Sequence, residues 1–187
     1  MARKESITQK MILDSAFEMT RQEGHAAVTA RTLAAKTGCS TQPIFRTYQN
    51  MEDLMEAVYE RAIDYYHQYN ERYQYRDKTP FFQLGMAYIG FAAEEKHLFE
   101  FLFLSGRRLS LYEIVNGNDG NIVYEINRAR VAGCPNPKDL FMKMWIFIHG
   151  AACMTLSGEY DLTRAQTAKL LVETYQAFTG SDESTKS

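Results

Sequence analysis

Residues 38–50 read GCSTQPIFRTYQN, a short polar stretch with Pro43 near its middle, set between two runs that both carry helical periodicity. Inside a helix a proline removes a hydrogen bond and collides with the preceding turn. In the first turn the amides have no intrahelical acceptor, so a proline there forfeits little. With Ser40 as N-cap, Thr41, Gln42 and Pro43 become the first three residues of a short helix, and the Ser40 hydroxyl can accept from the Gln42 amide. Pro43 then starts a helix instead of breaking one. Ile44, Phe45 and Tyr48 supply its apolar side, leaving Thr41, Gln42, Arg46 and Thr47 outward.

Upstream, Gly38 stops a short helix, ARTLAAKT, that Thr29 caps and that turns Leu33 and Ala34 inward. Before it, residues 6–22 place Ile7, Met11, Ile12, Ala16, Phe17 and Met19 at steps of three and four, and Gly24 serves as C-cap. Downstream, Asn50 caps the run MEDLMEAVYERAIDYYHQYNERYQY, whose early Glu52 and Asp53 suit the positive end of a helix. At ~1.5 Å per residue this run reaches about 36 Å, long enough to link two domains. Further helices are expected near 80–94, 96–105, 109–132, 137–157 and 163–178, with NGNDGN at 116–121 interrupting the third. Thr163 and Gln166 form a capping box for the last. The expected architecture is all-α: a three-helix domain over 1–50, a helical domain over 51–180, and a polar, disordered tail over 181–187.

The 187 residues, 45% hydrophobic and 24% charged, have the composition of a folded protein with room for a sizeable core. Three scattered cysteines and an opening that runs straight into an amphipathic segment predict a reduced, cytoplasmic chain without a disulfide framework. The most apolar runs are too short or too interrupted to predict a membrane span. Charge is divided unevenly. Residues 1–50 hold seven Lys and Arg against four Asp and Glu, and the remainder holds fourteen against nineteen. A basic head on an acidic body suits an anionic partner for the head.

Two helices joined by a three- to four-residue turn form a helix–turn–helix, and the second can enter a major groove with its N-terminal side chains at base edges. Thr41 and Gln42 occupy that end, with Ser40 just ahead, and a glutamine can bond adenine in a bidentate manner. Arg46, Arg31 and the hydroxyls of Thr29, Thr47 and Tyr48 suit phosphate oxygens. The same segment could also be an ordinary helical corner with a solvated polar face.

The segment ILDSAFEMTRQEGHAAVTARTLAAKTGCSTQPIFRTYQNMEDLMEAV resembles the N-terminal domain of the TetR family of bacterial transcriptional regulators. Ala16, Phe17, Gly24, Thr29, Arg31, Leu33, Ala34, Gly38, Ser40, Ile44, Phe45, Tyr48 and Leu54 carry the resemblance, which covers about residues 7–58. It implies DNA binding, with Thr29 capping the second helix near the backbone and Thr41 and Gln42 facing bases. Phe45 stands where that family commonly has a phosphate-touching Tyr, and Met51 where it has a Lys.

The run 137–157 is apolar around most of its girth, so it must be covered on several sides. The resemblance implies that it pairs with the last helix across a two-fold axis, through Phe141, Trp145, Ile148, Ala152, Ala168, Leu171, Tyr175 and Phe178. Burial within one subunit is the other possibility. Aromatics crowding the middle of the chain could line an apolar ligand pocket, with Tyr65, Tyr69, Phe91, His97, Phe103, Trp145 and His149 as candidates. Catalysis finds little support. Glu94 and His97 have carboxylate–histidine spacing, but only once, and no nucleophile, phosphate-loop or metal-site motif is present. No cofactor, metal or membrane partner is expected. The sequence therefore points to a homodimeric, ligand-responsive regulator of a palindromic operator, with repression the expected sense. The alternative is a helical small-molecule-binding protein or enzyme without specific DNA binding.

Overall fold

A computed structural model of the protein describes residues 7–73, 77–106, 111–117 and 119–180. The tail expected over 181–187 lies outside them. Among the described residues there is no strand, and the helices are α1 (Gln9–Glu23), α2 (Ala30–Thr37), α3 (Gln42–Thr47), α4 (Met51–Arg72), α5 (Phe82–Glu94), α6 (Lys96–Phe103), α7 (Leu111–Asn116), α8 (Gly120–Val131), α9 (Pro137–Ser157) and α10 (Arg164–Gly180). The chain is all-α, as expected. Two compact units form, one from Met1–His67 with Glu95–Arg108, the other from Gln68–Glu94 with Leu109–Ser187.

That division differs from the expected boundary at residue 50. Three short helices do not close a core alone, and the first unit recruits most of α4, up to His67, and all of α6. Leu54, Val58 and Leu98 are fully buried with Ile12, Ala16, Leu33 and Ile44, and α1 packs on α2, α3 and α6. Each such aliphatic side chain taken from water contributes about 1.5–3 kcal/mol. Met11, expected inward, is 39% exposed.

Local capping works largely as the sequence suggests. The Thr8 hydroxyl accepts from the Met11 amide at α1, and Asn136 accepts from Asp139 at α9. The Asn50 carboxamide accepts from the Asp53 amide at 2.9 Å, while Asp53 accepts from the Gln49 amide. Thr163 and Gln166 make the reciprocal box ahead of α10. The expected 109–132 helix is split. Asp119 opens α8 by accepting from the amides of Asn121 and Ile122.

In the second unit α5 is the central element, buried almost all around, with α9 and α10 against it and α7 and α8 against α9. Gly85 makes the close approach possible. A Cβ there would stand 3.0 Å from Ile148 Cδ1 and Leu171 Cδ2. The segment entering α5 is latched to α8: Glu125, buried, accepts from the Phe81 amide, and Arg128 pairs with Glu125 while donating to the Lys78 carbonyl. Phe81 itself sits at φ 64, a left-handed backbone unusual for a bulky residue, and is fully buried. Helix α9 is long and apolar enough to cross a bilayer. Here it spends Leu140, Phe141, Met144, Trp145, Ile148, Ala151 and Ala152 on the core of the unit.

Candidate DNA-binding surface

The turn between α2 and α3 is built by local chemistry. At the start of α2 the Thr29 hydroxyl accepts from the Thr32 amide at 3.2 Å and the Thr32 hydroxyl accepts from the Thr29 amide at 2.9 Å, closing a capping box. At its end Gly38 takes the left-handed conformation, φ 66, and the Cys39 amide donates to the Ala34 carbonyl. Helix α3 begins at Gln42 with Pro43 in its first turn, so the proline does open a helix.

Its cap is not the expected one. Thr41, with helical φ and ψ, holds the N-cap position, and no side chain caps the helix there. The Thr41 carbonyl accepts from the Ile44 and Phe45 amides. Ser40 is instead an exposed turn residue.

Burial then sorts the candidate residues. Thr29, Arg31, Ser40, Thr41, Gln42 and Arg46 are all exposed, and Thr47 is half-buried with its hydroxyl donating to the Pro43 carbonyl. Ile44 and Tyr48 turn inward. Tyr48 is a correction: it is 7% exposed and its hydroxyl is buried with no partner, so it does not offer that hydroxyl to a phosphate. Phe45 is the opposite correction. Expected on the apolar side, it is 48% exposed, on the same outward side as Gln42 and Arg46. Six residues make fewer than two turns, too few for periodicity to separate an inner from an outer aromatic.

In the first unit an ionic clasp ties α1 and α4 to the residue preceding α6, which sequence reasoning missed. Glu95, at the junction before α6, accepts from Arg21 Nε at 2.7 Å, from Arg21 Nη2 at 2.5 Å and from the Tyr65 hydroxyl at 2.7 Å. The Arg21 guanidinium also lies over the Tyr65 ring, 5.2 Å from its centroid. The hydrogen bonds to Glu95 hold the Arg21 proton more tightly than in free arginine. Closer to the N-terminus, Asp14 accepts from Arg61 of α4 and from Lys10, and these donors hold its carboxyl below the usual range. Residues 21 and 95 are 74 positions apart, and nothing in either local pattern names the other.

The seven residues expected to line one ligand pocket are divided between the units: Tyr65, His97 and Phe103 belong to the first, Tyr69, Phe91, Trp145 and His149 to the second. Tyr69, Phe91 and Trp145 are core residues, at most 9% exposed. Two surface cavities in the second unit, of about 240 and 470 Å³, are lined by none of the seven. The smaller lies at the α8–α9 turn, with Asn136, Asp139, Lys143, Tyr175 and Phe178 on its walls. Among the described residues no group of three or more His, Cys, Asp or Glu side chains converges as a metal site would require.

The expected dimer set also divides. Phe141, Trp145, Ile148, Ala152 and Leu171 are buried inside their own unit, while Ala168, Tyr175 and Phe178 stay partly exposed. The outer side of α9 carries Ile146, 63% exposed, with Gly150 and Met154, 45% exposed. An all-apolar helix does not announce which side meets its own subunit.

Residues 12–58 match the model of a family described as bacterial regulatory proteins, tetR family. The chain is also similar to an uncharacterized HTH-type transcriptional regulator, YvkB, of Bacillus subtilis (strain 168), at 37% identity over 51 residues. That likeness spans 27% of this chain and 27% of the relative. The family match runs from α1 into α4, the elements that build the exposed α2–α3 surface, and over that segment the chain is similar to the tetR family of bacterial regulatory proteins.

Proposed function

We propose that this protein is a DNA-binding transcriptional regulator that grips an inverted-repeat operator as a homodimer and acts in the cytoplasm as a repressor. The observation that carries the reading is the sorting of side chains on α3. Ile44 and Tyr48 anchor the helix, and Thr41, Gln42, Phe45 and Arg46 are left free on its outer side. A helix held this way can lie in a major groove, with Gln42 bonding an adenine edge and Phe45 offering an apolar surface to a thymine methyl. Arg46, Arg31 and the Thr29 cap supply cationic and polar groups for the phosphates that set register.

Two half-sites require two recognition helices, so the operator reading implies a dimer. Ile146, Gly150 and Met154 on α9, with Ala168, Tyr175 and Phe178 on α10, are the surface we assign to it. It is apolar where it is exposed, and Gly150 allows close approach. A small-molecule effector held by the second unit would act by preferring a state in which the two recognition helices no longer fit successive grooves.

The test is binding to the inverted repeat upstream of the protein's own gene, compared with random DNA across a salt series. Gln42→Ala should cost about 1–3 kcal/mol at one or two operator positions and relax preference there, whereas Arg46→Ala should weaken binding to every sequence. Equal affinity of wild type for operator and random DNA would overturn the reading, and an unchanged preference in Gln42→Ala would remove Gln42 from the base-reading role.

A further inference from the structure

Three side chains of the second unit, Tyr88, His149 and Cys153, follow one another at hydrogen-bond reach. The Tyr88 hydroxyl, on a fully buried residue of α5, lies 3.0 Å from His149 Nδ1. His149 Nε2 lies 3.6 Å from Cys153 Sγ, one turn further along α9. The Trp145 ring is stacked on the imidazole at an interplanar angle of 14°, which keeps the ring in that plane. A nucleophile, a base in hydrogen-bond reach and a third group orienting the base is the arrangement that activates a thiol.

We propose that Cys153 is a covalent modification site that takes adducts from small, uncharged α,β-unsaturated carbonyl compounds. With the proton on Nδ1, His149 donates to the Tyr88 oxygen and turns the Nε2 lone pair to the thiol, whose proton it can accept. In the other tautomer Tyr88 donates to Nδ1 and the Nε2 proton points at the sulfur. The sulfur adds to the β-carbon of the acceptor, forming a C–S bond as the C=C π pair shifts to the α-carbon. The thiol proton, carried by Nε2, then moves to that carbon. The product is a thioether, with no leaving group, oxidant or reductant. Soft sulfur favours a soft carbon electrophile, and the half-buried setting of Cys153 favours an uncharged one.

The chain carries its own controls. Cys39, Cys134 and Cys153 are all free and all half-buried within one subunit. Cys153 lies on the side of α9 that carries Ile146 and Gly150, so its rate is compared in wild type and in Ile146→Asp, where that side is uncovered. Beside Cys39 stands the Thr37 hydroxyl, 3.0 Å away, which is no base. The experiment treats the intact protein with limiting N-ethylmaleimide at pH 7 and follows each cysteine by peptide mass spectrometry. Cys153 should be alkylated about tenfold faster than Cys39 and Cys134. His149→Gln should slow Cys153 by a similar factor and leave the other two unchanged, with Tyr88→Phe in between. Wild-type Cys153 reacting no faster than the other two overturns the proposal, and this comparison needs no variant to fold. An unchanged Cys153 rate in a His149→Gln variant with wild-type circular dichroism also overturns it. The readout is chemical and does not rest on DNA binding.

Discussion

Glu95→Gln tests whether the Arg21–Glu95–Tyr65 clasp holds the first unit together. The carboxylate receives three donors, two from Arg21 and one from Tyr65, and its side chain is only 10% exposed. A carboxamide of the same shape keeps one acceptor and turns an amide nitrogen toward a donor, so the guanidinium loses its fork. Leaving one partner of a buried ion pair costs about 3–5 kcal/mol, and an exposed pair contributes about 0–1. The Arg21 side chain is 37% exposed and can turn toward water, which places the expected cost between these, at about 2 kcal/mol. With a urea slope of about 1–3 kcal/mol per molar, the unfolding midpoint should fall by roughly 1 M. Far-UV circular dichroism follows all the helices. The one tryptophan, Trp145, belongs to the second unit and reports on that unit separately. A cycle with Arg21→Met and the double variant should give a coupling of about 1–2 kcal/mol between residues 21 and 95. A Glu95→Gln midpoint within about 0.2 M of wild type, or a coupling near zero, would refute the assignment of stability to this clasp.

Met51→Lys probes the position of the start of α4, where the side chain is half-buried. A new ammonium beside the DNA backbone should steepen the salt dependence of log K by ~0.9 per subunit with sequence preference unchanged, and an unaltered slope in a folded variant rules out that placement. Ile146→Asp should yield a folded monomer by sedimentation, because it charges the outer side of α9 without touching the core. A dimer persisting in Ile146→Asp would move the interface elsewhere. Trp145→Ala, by contrast, should cost about 3–5 kcal/mol of stability in whatever oligomeric state it occurs, since Trp145 packs on Tyr88 and Phe141 within the unit.

Much of the candidate site was legible because its signals are local. Thr29 caps α2, Gly38 ends it with a left-handed backbone, and Pro43 falls in a first turn where it displaces no hydrogen bond. Each is decided by four or five consecutive residues. Where the local competition was close the outcome went the other way, as with Thr41 in place of Ser40 at the N-cap of α3. Phe45 and Tyr48 were both expected on the apolar side and only Tyr48 turned inward, because a six-residue helix is too short for its hydrophobic period to fix which aromatic is inside.

The sequence by itself determined the helices, most of their caps and the outward placement of Thr41, Gln42 and Arg46 on α3, since 3.6-residue periodicity and end chemistry act over one or two turns. Only the tertiary structure decided what the apolar helices are for. Trp145, Ile148 and Leu171 read as a dimer surface and turned out to be the packing of α9 and α10 around α5, with Gly85 admitting them. The hydrophobic effect is non-directional, so a buried stripe specifies that it must be covered and not by which partner. The same holds for Arg21 with Glu95 and for His149 with Tyr88, pairs joined across long sequence separations by the packing of whole helices.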